Sequence, residues 1–183
     1  MSDKRISEFL TQVRTKRPAL RLGLPAAIAA AVAIIALDQI TKQAVVVGMN
    51  LQTVREINVV PGLLNFRMAW NTGVNFGLFS GGGELTRILF SIGTSLVAVA
   101  LLLGSLACRR MLSAVGLGIA AGGAIGNIID RLAWGRVADF INVSCCGIDN
   151  PWSFNVADIA VFIGFAMLLI PLRPRPAETN AAG

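Results

Sequence analysis

The chain is 183 residues long, 55% hydrophobic and only 14% charged, with 16 basic residues against 10 acidic ones. A soluble domain carries roughly 25% charged residues, so this balance and the long apolar runs point to an all-α membrane protein with no room for a second large domain. Histidine and tyrosine are both absent, which removes Ser–His and Cys–His triads and the usual zinc sites.

Residues 1–21 form a basic segment carrying Lys4, Arg5, Arg14, Lys16, Arg17 and Arg21. Clustered ahead of an apolar run, these charges read as a topology signal and a contact for acidic phospholipid. Nucleic acid is not an expected partner, since no aromatic–basic stripe accompanies them. The apolar stretch that follows is long and lacks a clear cleavage site, so it reads as a retained first span over 22–47 rather than a removed signal peptide. Further spans are expected over 88–107, 111–132 and 154–172, each close to the ~20 residues that cross a hydrocarbon core. Residues 22–172 then make one four-span membrane domain. Pro171 and Pro174 stop the last helix, and the polar tail over 173–183 is expected to be disordered.

Orientation follows from the basic ends. The N-terminal segment, the turn with Arg109 and Arg110, and the tail with Arg173 and Arg175 share one side, assigned to the cytoplasm. Outer loops then cover 48–87 and 133–153. The first of them contains two β-prone runs, 53–60 and 63–70, around Pro61-Gly62. They predict a small extracytoplasmic β-sheet lying on the membrane, followed by a possible hinge at Gly81-Gly82-Gly83. Cys108 ends an apolar run, and Cys145-Cys146 is a vicinal pair in the second loop. That is no metal spacing; the pair is either a strained disulfide or two free thiols.

The carboxylates crowd one boundary. Asp38 lies at the outer end of span one, Asp130 and Arg131 at that of span three, Asp139 just beyond it, and Asp158 at the start of span four. Consecutive helices bring Asp139 and Asp158 to one depth on one face, where ionisable groups are costly and usually functional. The bland alternative is a set of interfacial charges that snorkel or pair with Lys42, Arg87 and Arg131. Asp38 and Lys42, at i and i+4, suit a self-paired arrangement, while Asp130 has Arg131 beside it and Arg87 potentially near. Asn71, Asn127 and Asn155 gather at the same level, where amides either hold a peptide backbone or cap and cross-link helices. The small-residue run Gly122-Gly123-Ala124-Ile125-Gly126 lies inside a span, suited to close helix packing rather than to phosphate.

Five separated blocks carry a resemblance. They are Asp38-Gln39-Ile40-Thr41-Lys42, Asn71-Thr72-Gly73-Val74-Asn75-Phe76, Gly123-Ala124-Ile125-Gly126-Asn127-Ile128-Ile129-Asp130-Arg131, Val137-Ala138-Asp139-Phe140 and Phe154-Asn155-Val156-Ala157-Asp158. In this order, at the same ends of four spans, they resemble the lipoprotein signal peptidase (signal peptidase II) family. The resemblance implies an intramembrane aspartyl endopeptidase of the bacterial inner membrane, monomeric and multi-pass, with both termini cytoplasmic and its site near the outer face. Its substrates would be lipid-modified prolipoproteins, cut just before the diacylglyceryl cysteine. By motif, Asp139 and Asp158 would be catalytic and Asn71, Asn127, Arg131 and Asn155 would hold substrate. Asp38, Lys42, Gly73, Gly123, Asp130 and Ala157 would support the site. The chain departs from the family pattern at Asn75, where a small residue is usual, and at Ala138, where a larger aliphatic one is common.

The chemistry of the residues points the same way. Two carboxylates held close do not both ionise easily, so they share a proton. One can then take a proton from water while the other hydrogen-bonds the scissile carbonyl, without metal or cofactor. A small cation- or proton-coupled transporter using the Asp/Asn cluster is the alternative. The absence of any mid-span acid and of an internal repeat weighs against it.

Overall fold

The computed structural model describes residues 18–73 and 84–170. The basic segment before them, the tail with Pro171, Arg173, Pro174 and Arg175, Asn75 and the Gly81-Gly82-Gly83 stretch all lie outside the described residues. The protein is mostly helical, with several apolar helices and one small antiparallel sheet.

Helix α1 covers Pro18–Lys42 and runs directly into a π-helical turn, Gln43–Gly48. A short helix α2, Leu51–Val54, leads to β1, Glu56–Val60, and β2, Leu64–Asn71. Helix α3 is Glu84–Gly104, followed by a 3₁₀ turn at Ser105–Ala107. Helix α4 is Met111–Trp134, strand β3 is Val137–Val143 and helix α5 is Val156–Leu169. Gly23–Gly48, Arg87–Ala107 and Met111–Trp134 are long and apolar enough to cross a membrane. Helix α5 is apolar too but has 14 described residues, about 21 Å at 1.5 Å per residue. It is shorter than the expected 154–172 because residues 154 and 155 serve as its entry and its cap.

Helix α4 is the centre of the bundle, and small residues put it there. Gly118 and Gly122 lie against the backbone of Ala27 and Ala31 in α1; a Cβ on Gly122 would stand 2.7 Å from the Ala31 carbonyl oxygen. On another face, Gly116 meets Gly164 of α5, and Gly123 meets Ala157. Larger side chains would force these helices apart, and in lipid close backbone approach is what holds helices together. Most α3 residues between Ile88 and Leu103 are instead exposed or half-exposed, as suits a lipid-facing surface.

The sheet departs from the expectation in membership. The two runs around Pro61-Gly62 do pair, with Glu56 opposite Arg67. A third strand, β3, comes from the second loop, so the order is β1-β2-β3 and the sheet is not confined to the first loop. Residues 137–143 were expected as plain loop. Five of the seven are buried, so they lack the polar alternation that marks a half-exposed strand. Ala138 and Phe140 share one face of β3 and join Val45, Val46, Leu51 and Met68 in an apolar core. Successive side chains alternate across a strand, so Asp139 points the other way. Its register partner is Ala69, at a break in pairing between Phe66 and Ala69. Bulges of this kind re-aim side chains next to sites.

Candidate active site

Asp139 and Asp158 come together, joined through two amides. The Asn155 Nδ2 donates to Asp139 Oδ1 at 2.7 Å and to Asn127 Oδ1 at 3.0 Å. The Asn127 Nδ2 donates in turn to Asp158 Oδ1 at 2.9 Å. Asp158 also closes a reciprocal cap on α5: its backbone N–H donates to Asn155 Oδ1 at 2.9 Å, and the Asn155 N–H donates to Asp158 Oδ2 at 3.2 Å. Cap and site thus share two residues, Asn155 and Asp158, through different atoms of each. The spacing Asn155-x-x-Asp158 is a capping-box pattern and was legible in the sequence.

Asp139 is 4% exposed. Burial first, and the charge on Asp158 second, push its carboxyl up to about 7, against the opposing pull of the Asn71 amide, Lys42 and the Asn155 amide. A carboxyl that holds its proton near neutral pH beside a second carboxylate is the arrangement that general acid–base catalysis uses.

Asn71 ends β2 opposite Val137. Its Oδ1 accepts from the Gly73 N–H at 2.9 Å, in a turn where Gly73 takes φ +83°, the left-handed region that favours glycine. Arg131 donates to the Asn127 carbonyl at 3.4 Å and has no ion-pair partner among the described residues. It borders, with Asn127, a groove of about 640 Å³ whose walls include Leu89, Phe90, Val97 and Val161. Polar groups therefore stand at one end of an otherwise apolar cleft between α3, α4 and α5.

A second polar cluster lies directly behind. Lys42 Nζ is 2.7 Å from Asp38 Oδ2 and 2.7 Å from Asp130 Oδ2, and all three side chains are fully buried. The expected pairing of Asp130 with Arg131 or Arg87 is not what forms, since Arg87 meets Glu84 instead. Nor do Asp38 and Lys42 snorkel to the interface. The tight α1–α4 contact encloses them, and a Cβ on Gly126 would lie 2.6 Å from Asp38 Oδ2. The cluster's oxygens also accept from backbone N–H groups: Asp38 Oδ1 from Ala157 at 3.0 Å, and Asp130 Oδ2, already paired with Lys42, from Ala138 at 3.1 Å. Ala157 precedes Asp158, and Ala138 precedes Asp139. Each buried carboxylate holds the residue before one member of the pair. Gln39 had been assigned no role; its Nε2 donates to both Asp38 and Asp130 at 3.1 Å, completing the node.

Asn142, also unremarked in the sequence, is fully buried. It donates to the carbonyls of Asn150 and Trp152, tying β3 to the segment that leads into Asn155. Among the described residues no group of three or more Cys, Asp or Glu is placed to hold a metal ion.

Residues 30–173 match the family model for signal peptidase (SPase) II. The chain is 40% identical over 153 residues to a lipoprotein signal peptidase of Rhodopseudomonas palustris (strain ATCC BAA-98 / CGA009), covering 82% of this chain and 90% of the relative. It is 40% identical over 174 residues to a lipoprotein signal peptidase of Methylorubrum extorquens (strain PA1), covering 90% and 95%. A bacterial membrane enzyme solved by the in meso method at 1.9 Å resolution superposes with a TM-score of 0.66 at 30% identity, over 79% of this chain and 90% of that one.

Proposed function

This chain belongs to the signal peptidase II family and is a membrane-embedded aspartyl endopeptidase, and from that premise we propose that it cuts prolipoproteins immediately before the diacylglyceryl cysteine, with Asp139 and Asp158 as the catalytic pair. The observation that supports this most directly is the amide-linked carboxylate pair, whose Asn127 both bonds Asp158 and lines the apolar groove.

Asp139, raised to about 7, is the proton donor. It hydrogen-bonds the scissile carbonyl and makes its carbon electrophilic. Asp158 takes a proton from the attacking water, and the tetrahedral intermediate collapses as the leaving amine is protonated. Asn155 and Asn127 keep the two carboxyls in register, so no reorganisation is needed when charge moves. Arg131 and Asn71, at the groove and beside Asp139, are placed to hold the substrate backbone. The apolar walls receive the lipid-facing part of the substrate. Gly123 and Ala157 let the α4 and α5 backbones approach, and Gly73 supplies the left-handed turn beside Asn71.

The finer topology is part of the same reading: four spans, α5 being the last, with both termini cytoplasmic and the sheet and catalytic pair at the outer face. The turn with Arg109 and Arg110 lies at the start of α4, and Asp130 and Arg131 lie near its other end, as the positive-inside rule requires. The protein acts as a monomer within the phospholipid bilayer.

The acyl chains serve mainly to position the substrate. Each buried methylene contributes roughly 0.8 kcal/mol, but much of that anchoring exists in the bilayer before binding. The gain is local concentration and alignment of the scissile bond. Matched prolipoproteins with and without the diacylglyceryl group, assayed in the same micelles, test this. The lipidated one should be cut far faster, and equal rates would replace the reading with a general intramembrane protease.

A further inference from the structure

The segment between β3 and α5 carries two adjacent thiols that the peptidase chemistry does not use. Cys145 and Cys146 are both exposed, and their sulfurs stand 2.9 Å apart. They sit in a tight turn closed by the Ile148 N–H donating to the Cys145 carbonyl at 2.9 Å. Cys146 has φ +60° and Gly147 φ +80°, the mirror-image turn in which both central residues are left-handed. Glycine tolerates that conformation, whereas cysteine adopts it under strain. The turn is built on a fastened base. The Ser144 N–H donates to the Leu63 carbonyl at 2.9 Å, and the Ser144 hydroxyl donates to Asn142 Oδ1 at 2.9 Å. Asn150 donates from its N–H to the Ser144 hydroxyl and from its amide to the Val143 carbonyl. The two thiols are therefore held side by side by a clamped hairpin.

We propose that Cys145 and Cys146 form a reversible two-electron thiol–disulfide site, whose reaction partner is a disulfide, either of a small thiol such as glutathione or of another protein. One cysteine thiolate attacks a sulfur of the partner disulfide, forming a mixed disulfide and expelling one partner thiol. The neighbouring thiolate then attacks the cysteine sulfur, forming the Cys145–Cys146 bond and expelling the second partner thiol. Two protons leave the cysteines and two thiols are released, so the partner is reduced as the pair is oxidised. Adjacency makes the second attack intramolecular, with a high effective concentration. Cys108 does not compete. It lies before α4, bonded to the Gly104 carbonyl at 3.7 Å, at the opposite end of α4 from Trp134 and β3. Exposed, strained pairs are the readily reducible kind, so the site cycles instead of serving as a permanent staple.

The test is on the full chain in detergent, equilibrated across reduced-to-oxidised glutathione ratios, acid-quenched and alkylated under denaturing conditions, then weighed intact. The expected result is a single transition from three alkylated thiols to one, with the unalkylated oxidised protein about 2 Da lighter and monomeric. In Cys108→Ser the same transition should run from two thiols to none. Three free thiols at every ratio, a glutathione adduct that persists, or a sulfur-linked dimer would each overturn the proposal. Cys146→Ser should abolish the 2 Da change and accumulate the adduct on Cys145; retention of the change would also overturn it.

Discussion

Two carboxylate clusters lie back to back in this protein, and they differ in what neutralises them. In the buried node, Asp38 and Asp130 share the ammonium of Lys42, and the Gln39 amide and two backbone N–H groups supply further donors. In the pair, Asp139 and Asp158 face each other through amides, with no cation within ion-pair distance among the described residues. Burial first and the Asp158 charge second raise the Asp139 carboxyl, and the amides oppose this only in part, so Asp139 keeps its proton to about 7. A compensated carboxylate is a structural part, and an uncompensated one is a reagent. The node is still tied to the pair, because its carboxylates grip the N–H of Ala157 and Ala138, one residue before Asp158 and Asp139.

Removing the two carboxyls proposed as catalytic should have the largest effect. Asp139→Asn and Asp158→Asn should each lower kcat by about 10³-fold or more, since each proton role needs a titratable carboxyl. The melting temperature in detergent should barely move for Asp139→Asn, while Asp158→Asn also weakens the α5 cap, at about 1 kcal/mol. A variant with substantial turnover on a diacylated prolipoprotein would remove that residue from the pair.

Next comes the node. Lys42→Met leaves two buried carboxylates facing each other, and breaking a buried ion pair costs about 3–5 kcal/mol. Thermal unfolding should show this as a large loss of stability. An unchanged melting temperature with lost cleavage would mean that Lys42 acts in the chemistry rather than behind it.

The pH profile sharpens the contrast. Asp139 is protonated below about 7 and ionised above it, so as the donor it should make kcat fall about tenfold per pH unit on the alkaline side. Asn155→Ala removes one of the amides that favour the ionised form, so its alkaline limb should move to higher pH. The helix cap is lost as well, at about 1 kcal/mol. A limb that stays put in this variant would separate the cap from the titration.

The smallest effect on cleavage belongs to Asp38→Asn. The amide oxygen can still accept from Ala157 and Lys42 keeps one carboxylate in Asp130, but the new amide nitrogen then faces the Lys42 ammonium and the Gln39 amide. The cost in stability should be about 1–3 kcal/mol, with most cleavage retained. Instability as severe as that of Lys42→Met would show that both negative charges are needed.

Several features could be read from the chain because local pattern carries them: the apolar runs, the hairpin around Pro61-Gly62, the small-residue face of α4, and the acids crowding one boundary. The placement of Asp139 and Asp158 at consecutive helix ends already implied that they meet. The polar node could be read only in part. Asp38 and Lys42 at i and i+4 announce a pair, but Asp130 joins it because Gly118, Gly122 and Gly126 bring α1 close enough to bury all three. Strand β3 was not legible, since its pairing with β2 joins residues some seventy positions apart and its burial erases the alternation that marks strands. Sequence by itself therefore determined which residues are apolar, which turn and which carry charge, because these depend on near neighbours along the chain. Tertiary structure alone decided which charges are neutralised, because compensation depends on distance and burial between elements that the sequence keeps apart.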